Sequence, residues 1–413
     1  MWRGIGCSML FKNLPQSMKV ATPKAAGKLG AVNGPNVTPL LDSAGRDQIE
    51  SLKYYDVRSA AGAAGGLGSR LVIRRARAVG LSYDRGEPPR LGNSAMAEMP
   101  VPITLRPDPR KFRDPFVTAV GERRAQVALR ALDTLWFNTG TLCNLTCHHC
   151  YIESSPKNDR LAYLSAAEIR EYLDEIERLR LGTGLIGFTG GEPFMNPELP
   201  AMLEIALARG FRALVLTNAM KPMHKMKPAL SRLRERHGDR LTIRVSIDHY
   251  GPAVHQAERG RRSWAPTIDG LKWLAANGFA VAVASRRLSG ESEAELRRGF
   301  ARLFADLGIA IDADDPVALT IFPEMDEAAD VPEITEACWG LLGRSPDSVM
   351  CASSRMVVKF KGAPHPTVIA CTLLPYDPRF DLGPSLAGAL GRVPLNHPHC
   401  AKFCVLGGGA CSR

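Results

Sequence analysis

Long apolar runs are missing from this chain. No stretch of about eighteen consecutive apolar residues occurs, which leaves no candidate for a membrane-spanning helix. The apolar stretch at 9–11 is too short for a secretory signal, so the cytoplasm is the expected location. Asp and Glu are absent from residues 1–41, which carry five Lys or Arg, a pattern that weakly resembles a transit peptide; a true start at Met96 or Met99 is the competing expectation. A glycine-rich stretch at 60–68 lacks a following Gly-Lys-Ser/Thr. It therefore reads as a linker rather than a phosphate-binding loop.

The net charge of +11 is unevenly spread. Residues 1–130 hold 21 Lys and Arg against 10 Asp and Glu, and the remaining residues hold 32 of each. The excess belongs to a basic N-terminal segment, and no nucleic-acid face is expected from it. Residues 1–105 are dominated by Ala, Gly, Pro, Ser and basic side chains with weak periodicity, and read as unstructured.

Cysteine is scarce through most of the length and then concentrated. Of ten cysteines, three lie between 143 and 150 and six after 337: Cys338, Cys351, Cys371, Cys400, Cys404 and Cys411. In a chain of this length without a signal, that grouping favours metal or cluster binding over disulfides.

What is present from about residue 130 is a repeating strand–helix pattern. Strands are expected at 135–138, 184–188, 213–217, 241–247 and 280–285, with a sixth inside 309–321. Helices are expected from Ser165, where Glu168 completes a capping box, to about Leu181, after Pro197, and over 227–236, 266–277 and 292–307. Repeated units of this kind imply parallel strands with helices outside. Six are too few for an eightfold barrel, so the expected fold is α/β, a partial (β/α)6 barrel over 130–345. A small cysteine-rich α+β domain follows over 346–413, opening on a hairpin of 356–360 and 367–370 around Lys361-Gly362-Ala363-Pro364. Cys338, in an apolar pattern with Trp339 and Leu342, is expected to be a core residue.

Directly after the first strand comes Leu142-Cys143-Asn144-Leu145-Thr146-Cys147-His148-His149-Cys150-Tyr151, with spacing C-x3-C-x2-C. Three thiolates on one short loop can hold three irons of a cubane cluster and leave the fourth open for chemistry. Spacing alone also allows a zinc site with His148 or His149 as fourth ligand, or a cluster completed by a distant cysteine.

This motif resembles the cluster loop of the radical S-adenosylmethionine (SAM) enzymes. The resemblance implies a [4Fe-4S] cluster on Cys143, Cys147 and Cys150 that binds SAM. His149 stands where the family often has an aromatic residue, and its flat ring could pack beside the adenine. Thr189-Gly190-Gly191-Glu192-Pro193 is similar to the family's motif for the SAM amino group, with Glu192 as acceptor. Thr217, Asn218, Ser246 and Asp248 resemble its ribose contacts, and Arg286 or Arg287 could hold the SAM carboxylate. Ser246 through Asp248, His255, Arg259-Gly260 and Ser263 resembles a segment of the SPASM or twitch branch.

That branch implies one auxiliary [4Fe-4S] cluster on Cys351, Cys371 and two of Cys400, Cys404 and Cys411, with a structural zinc site as the alternative. The implied activity is reductive cleavage of SAM and modification of a peptide or small molecule by the 5′-deoxyadenosyl radical, with a flavodoxin- or ferredoxin-type donor. A non-catalytic zinc protein or iron–sulfur electron carrier is the competing class.

Overall fold

The computed structural model describes residues 108–326 and 329–409; the expectations for residues 1–105 and for Cys411 fall outside them. In chain order the elements are β1 (Gln126–Val127), β2 (Thr134–Asn138), α1 (Ala166–Leu179), β3 (Leu185–Thr189), α2 (Leu199–Ala208), β4 (Arg212–Thr217), α3 (Lys221–Lys225), α4 (Lys227–His237) and β5 (Leu241–Ser246). Then follow α5 (Pro252–Arg259), α6 (Trp264–Ala276), β6 (Ala280–Arg286), α7 (Glu293–Leu307), β7 (Leu319–Phe322), α8 (Cys338–Leu342), β8 (Ser354–Val358), β9 (Thr367–Ile369) and β10 (Val393–Pro394). A π-helical segment, Cys400–Leu406, closes the described chain.

Eight strands form one mixed sheet in the order β7-β6-β5-β4-β3-β2-β8-β9. Strands β2 to β7 are parallel neighbours in sequence order, as strand–helix units require. The hairpin β8–β9 is antiparallel, with Val357 opposite Val368. It does not stand apart from this sheet, because β8 runs parallel to β2 with Trp136 opposite Met356. The short pair β1–β10 lies outside it.

Apolar runs such as Leu135-Trp136-Phe137 exist because this sheet is covered on both faces. On one face Phe137, Phe188, Val215, Val245 and Val283 pack with helical residues including Leu173, Leu203, Leu271 and Phe300. Trp136, Met356, Val358 and Ile369 belong to a second core that also contains Cys338, Cys351, Cys400 and Cys404.

Local signals set the helix starts. Ser165 accepts from the Glu168 amide at 3.2 Å while Glu168 accepts from the Ser165 amide at 2.8 Å, and Ser292 and Glu295 repeat this capping box on α7. α1 stops at Leu179, two residues before the expected end, because Arg180 turns left-handed. The sixth strand is only Leu319–Phe322. The residues before it form Asp turns: Asp312 accepts from the Asp314 amide at 2.9 Å, and Asp315 from the Val317 amide at 2.8 Å. α5 lies in a stretch where the sequence pattern suggests only a motif.

Candidate functional site

The loop after β2 is held by backbone hydrogen bonds to several parts of the chain. Thr141 donates to the Leu161 carbonyl, Cys143 to that of Ser155, and His148 to that of Glu258, at 3.1, 3.1 and 2.8 Å. Two thiol sulfurs accept backbone amides, Cys143 from Leu145 at 3.4 Å and Cys150 from Ser154 at 3.3 Å. Such bonds orient the sulfurs and tune any metal they hold.

The Gly190-Gly191 turn at the end of β3 packs against this loop's backbone. Gly191 donates to the Gly140 carbonyl at 2.8 Å, and Glu192 to that of Leu142 at 3.1 Å. Gly190 has φ +138°, and a Cβ on Gly191 would stand 2.3 Å from the Leu142 oxygen. Both positions therefore require glycine, for backbone conformation at the first and close approach at the second.

One cavity gathers these parts. Cys143, Cys147, Cys150, His149, Gly190 and Gly191 line it, together with Thr217 and Asn218 after β4, Ser246 and Asp248 after β5, and Arg286 at the end of β6. Its remaining wall is more apolar and includes Phe322 at the end of β7, with Leu373 and Phe403 from the C-terminal region.

Glu192 lies behind this wall rather than on it. Its carboxylate accepts from the Thr217 hydroxyl and the Asn218 amide, each at 2.8 Å, and from the Phe194 amide at 3.2 Å. Burial pushes its pKa up to about 7, against the pull of those three bonds. Glu192 thus fastens the Gly-Gly turn to the end of β4.

Asp248 is 2% exposed and receives two bidentate arginines. Arg259 reaches it at 2.7 and 3.1 Å, and Arg286 at 3.1 and 3.1 Å. Burial alone would raise its pKa, but the two guanidiniums outweigh that and hold the carboxyl far below its usual range. Each oxygen already accepts two hydrogen bonds. In this arrangement Asp248 orients two arginines and presents no spare acceptor to a ribose hydroxyl.

Arg286 is equally engaged. It donates to Glu258 at 2.6 Å and to the His149 carbonyl at 2.7 Å. Glu258 in turn accepts from the His149 amide at 2.8 Å and pairs with its Nδ1 at 2.7 Å. This network ties the cysteine loop to α5, β5 and β6. Glu258 carries no local sequence signal, and Arg259 is visible only as part of the Arg-Gly pair.

Residues 137–298 match the model of the radical SAM superfamily. The matched segment, which holds the cysteine loop and the Gly-Gly turn, is of the radical SAM type. Among curated relatives, the chain is 31% identical over 143 residues to the Bacillus subtilis antilisterial bacteriocin subtilosin biosynthesis protein AlbA, covering 34% of this chain and 30% of that one. It is 30% identical over 169 residues to the Mycobacterium tuberculosis mycofactocin maturase MftC, covering 41% of each. The chain therefore spans less than half the length of these two relatives. A solved structure of Streptococcus suis SuiB bound to S-adenosylmethionine aligns with a TM-score of 0.46 at 11% identity, over 62% of this chain and 63% of that one.

The cysteine loop suits the superfamily's cluster in its chemistry. Burial pushes the Cys143 thiol up to about 12 and the Cys147 thiol upward, so metal must displace their protons on binding. No three His, Cys, Asp or Glu side chains among the described residues form a group able to hold a metal ion.

The C-terminal cysteines share one core. Cys351, Cys400 and Cys404 are buried in it and Cys371 packs against it. Burial raises the Cys351 thiol to about 11 and the Cys400 thiol to about 12, with Cys351 adding to the latter. Cys400 and Cys404 sit on the π-helical segment, a geometry frequent at functional sites. Cys338, 1% exposed and in contact with Thr335, is a core residue as expected.

Proposed function

We propose that this chain reductively cleaves SAM and uses the resulting radical to modify a peptide. The carrying observation is that three loop thiols, the Gly-Gly turn and the polar ends of β4, β5 and β6 line one cavity. A [4Fe-4S] cluster on Cys143, Cys147 and Cys150 would supply the electron and open iron site for SAM cleavage to methionine and a 5′-deoxyadenosyl radical.

The chain's own residues bind and orient. Gly190 and Gly191 offer backbone to the SAM amino group, with Glu192 fixing their turn. Thr217, Asn218 and Ser246 offer hydroxyl and amide contacts to ribose. Asp248 holds Arg259 and Arg286 so that one guanidinium edge can meet the SAM carboxylate.

A partial (β/α)6 barrel is the architecture that fits this reading. In a flat sheet, β2 and β7 would stand about 24 Å apart at the usual strand spacing. Yet Cys143, after β2, and Phe322, on β7, line the same cavity, which supports a curled sheet. Its C-terminal companion reads as a twitch-like region with one auxiliary cluster on Cys351, Cys371, Cys400 and Cys404. Cys411 lies beyond the described residues.

The B. subtilis relative, named for biosynthesis of the bacteriocin subtilosin, supports a peptide over a small molecule. A low-potential flavodoxin or ferredoxin is the fitting electron donor. Among the described residues no helix is long and apolar enough to cross a membrane.

The test is anaerobic reconstitution with iron and sulfide, followed by dithionite and SAM. Production of 5′-deoxyadenosine that disappears in Cys147→Ala is the expected result. Cluster-loaded protein that yields none, with or without a precursor peptide encoded nearby, overturns the reading.

A further inference from the structure

Arg355 follows the start of β8 and is 1% exposed. Its donors reach only backbone carbonyls. Nε donates to Ala389 at 2.9 Å, Nη1 to Cys351 at 2.6 Å and Ser354 at 2.8 Å, and Nη2 to Gly391 at 3.1 Å. Among the described residues no carboxylate pairs with it. Arg124, equally buried, pairs with Glu333, and the partly buried Arg259 and Arg286 pair with Asp248.

A guanidinium stays charged in proteins, and an uncompensated buried charge is strongly unfavourable. Neutral carbonyls satisfy the hydrogen bonds of Arg355 and leave its charge. The ionisable groups near enough to favour that charge are the thiols of Cys351 and Cys371. Both arise from the C-terminal core, and the Cys351 carbonyl is itself an acceptor of the guanidinium. A thiolate-ligated iron–sulfur centre is anionic and would provide the missing countercharge.

We propose that Arg355 is the built-in countercation of an iron–sulfur cluster ligated by Cys351 and Cys371, and that it sets that cluster's reduction potential. The proposal rests on the auxiliary-cluster reading above. One-electron reduction by a donor makes the cluster one unit more negative. A fixed positive charge beside it favours the reduced state and raises the potential. Arg355 acts by tuning the centre and touches no reacting atom.

The experiment uses the full chain, reconstituted anaerobically, with iron and sulfide counted. Each cluster is titrated by electron paramagnetic resonance against a dithionite-poised potential. Arg355→Met should shift the C-terminal cluster to more negative potential by about tenfold in its reduction equilibrium, ~59 mV for one electron. Arg355→Lys, which keeps the charge, should stay near the parent value, and the Cys143/Cys147/Cys150 signal should stay unmoved in both.

If Arg355→Met loses the second cluster, Arg355→Gln against Arg355→Lys makes the same comparison. Unchanged potentials with both clusters present, or equal shifts in the Met and Lys variants, overturn the proposal. Iron for a single cluster in the parent protein, all of it lost in a Cys143→Ala variant, instead overturns the auxiliary-cluster reading itself.

Discussion

The two cysteine regions handle buried charge in opposite ways. Around the cavity, Asp248 and Glu258 face Arg259 and Arg286, so two carboxylates offset two guanidiniums and the wall is neutral on balance. In the C-terminal core, Arg355 donates to carbonyls alone, that of Cys351 among them, and no carboxylate among the described residues pairs with it. The first arrangement is complete before any ligand arrives and fixes geometry. The second has no carboxylate partner, and the proposed cluster would supply its countercharge. Similar residue types therefore report different duties, orientation in one place and countercharge in the other.

The comparison breaks most sharply at the loop cysteines. Cys147→Ala should abolish 5′-deoxyadenosine formation while leaving iron bound by the C-terminal cysteines, measured by product chromatography and iron analysis. If the cavity network is a matched set, Asp248→Asn should cost about 3–5 kcal/mol in denaturant unfolding, since Arg259 then has no carboxylate partner. A loss under 1 kcal/mol would show that the network is not electrostatically matched.

Glu192 sharpens the contrast through pH. Its folded pKa, about 7, lies above the ordinary 4.5. Folding then favours the protonated form, so its contribution is fully present below pH 4.5 and is lost as pH rises through 7. Glu192→Gln should flatten stability over that window, by a total of about 3 kcal/mol. Equal slopes for parent and variant would refute the assignment. Gly191→Ala should have the smallest effect, about 1–3 kcal/mol from overpacking against the Leu142 carbonyl, visible as weaker iron retention at the loop cysteines.

Much of this was readable along the chain because it is local. The capping box at Ser165, the apolar runs of the parallel strands and the C-x3-C-x2-C spacing each depend on near neighbours. The reading weakened where partners are distant. Glu258 is one charged helix residue among many until α5 brings it to His149 and Arg286. Asp248 and Arg286 stood out as strand-end polar groups, but their mutual pairing is a property of two strands side by side. The sixth strand could be placed only somewhere within 309–321, because the aspartate turns before Leu319 interrupt the apolar pattern that would mark its start. The C-terminal hairpin could be recognised, but not its pairing with β2, since strand partners carry no address in sequence.

The sequence by itself determined the parallel strand–helix succession, the thiol-bearing loop and the glycine turn, because periodicity, spacing and backbone freedom are properties of adjacent residues. Only the tertiary structure decided which charges meet. Ion pairing depends on distances of a few ångströms between residues far apart in sequence, and that alone separates the paired arginines of the cavity from Arg355.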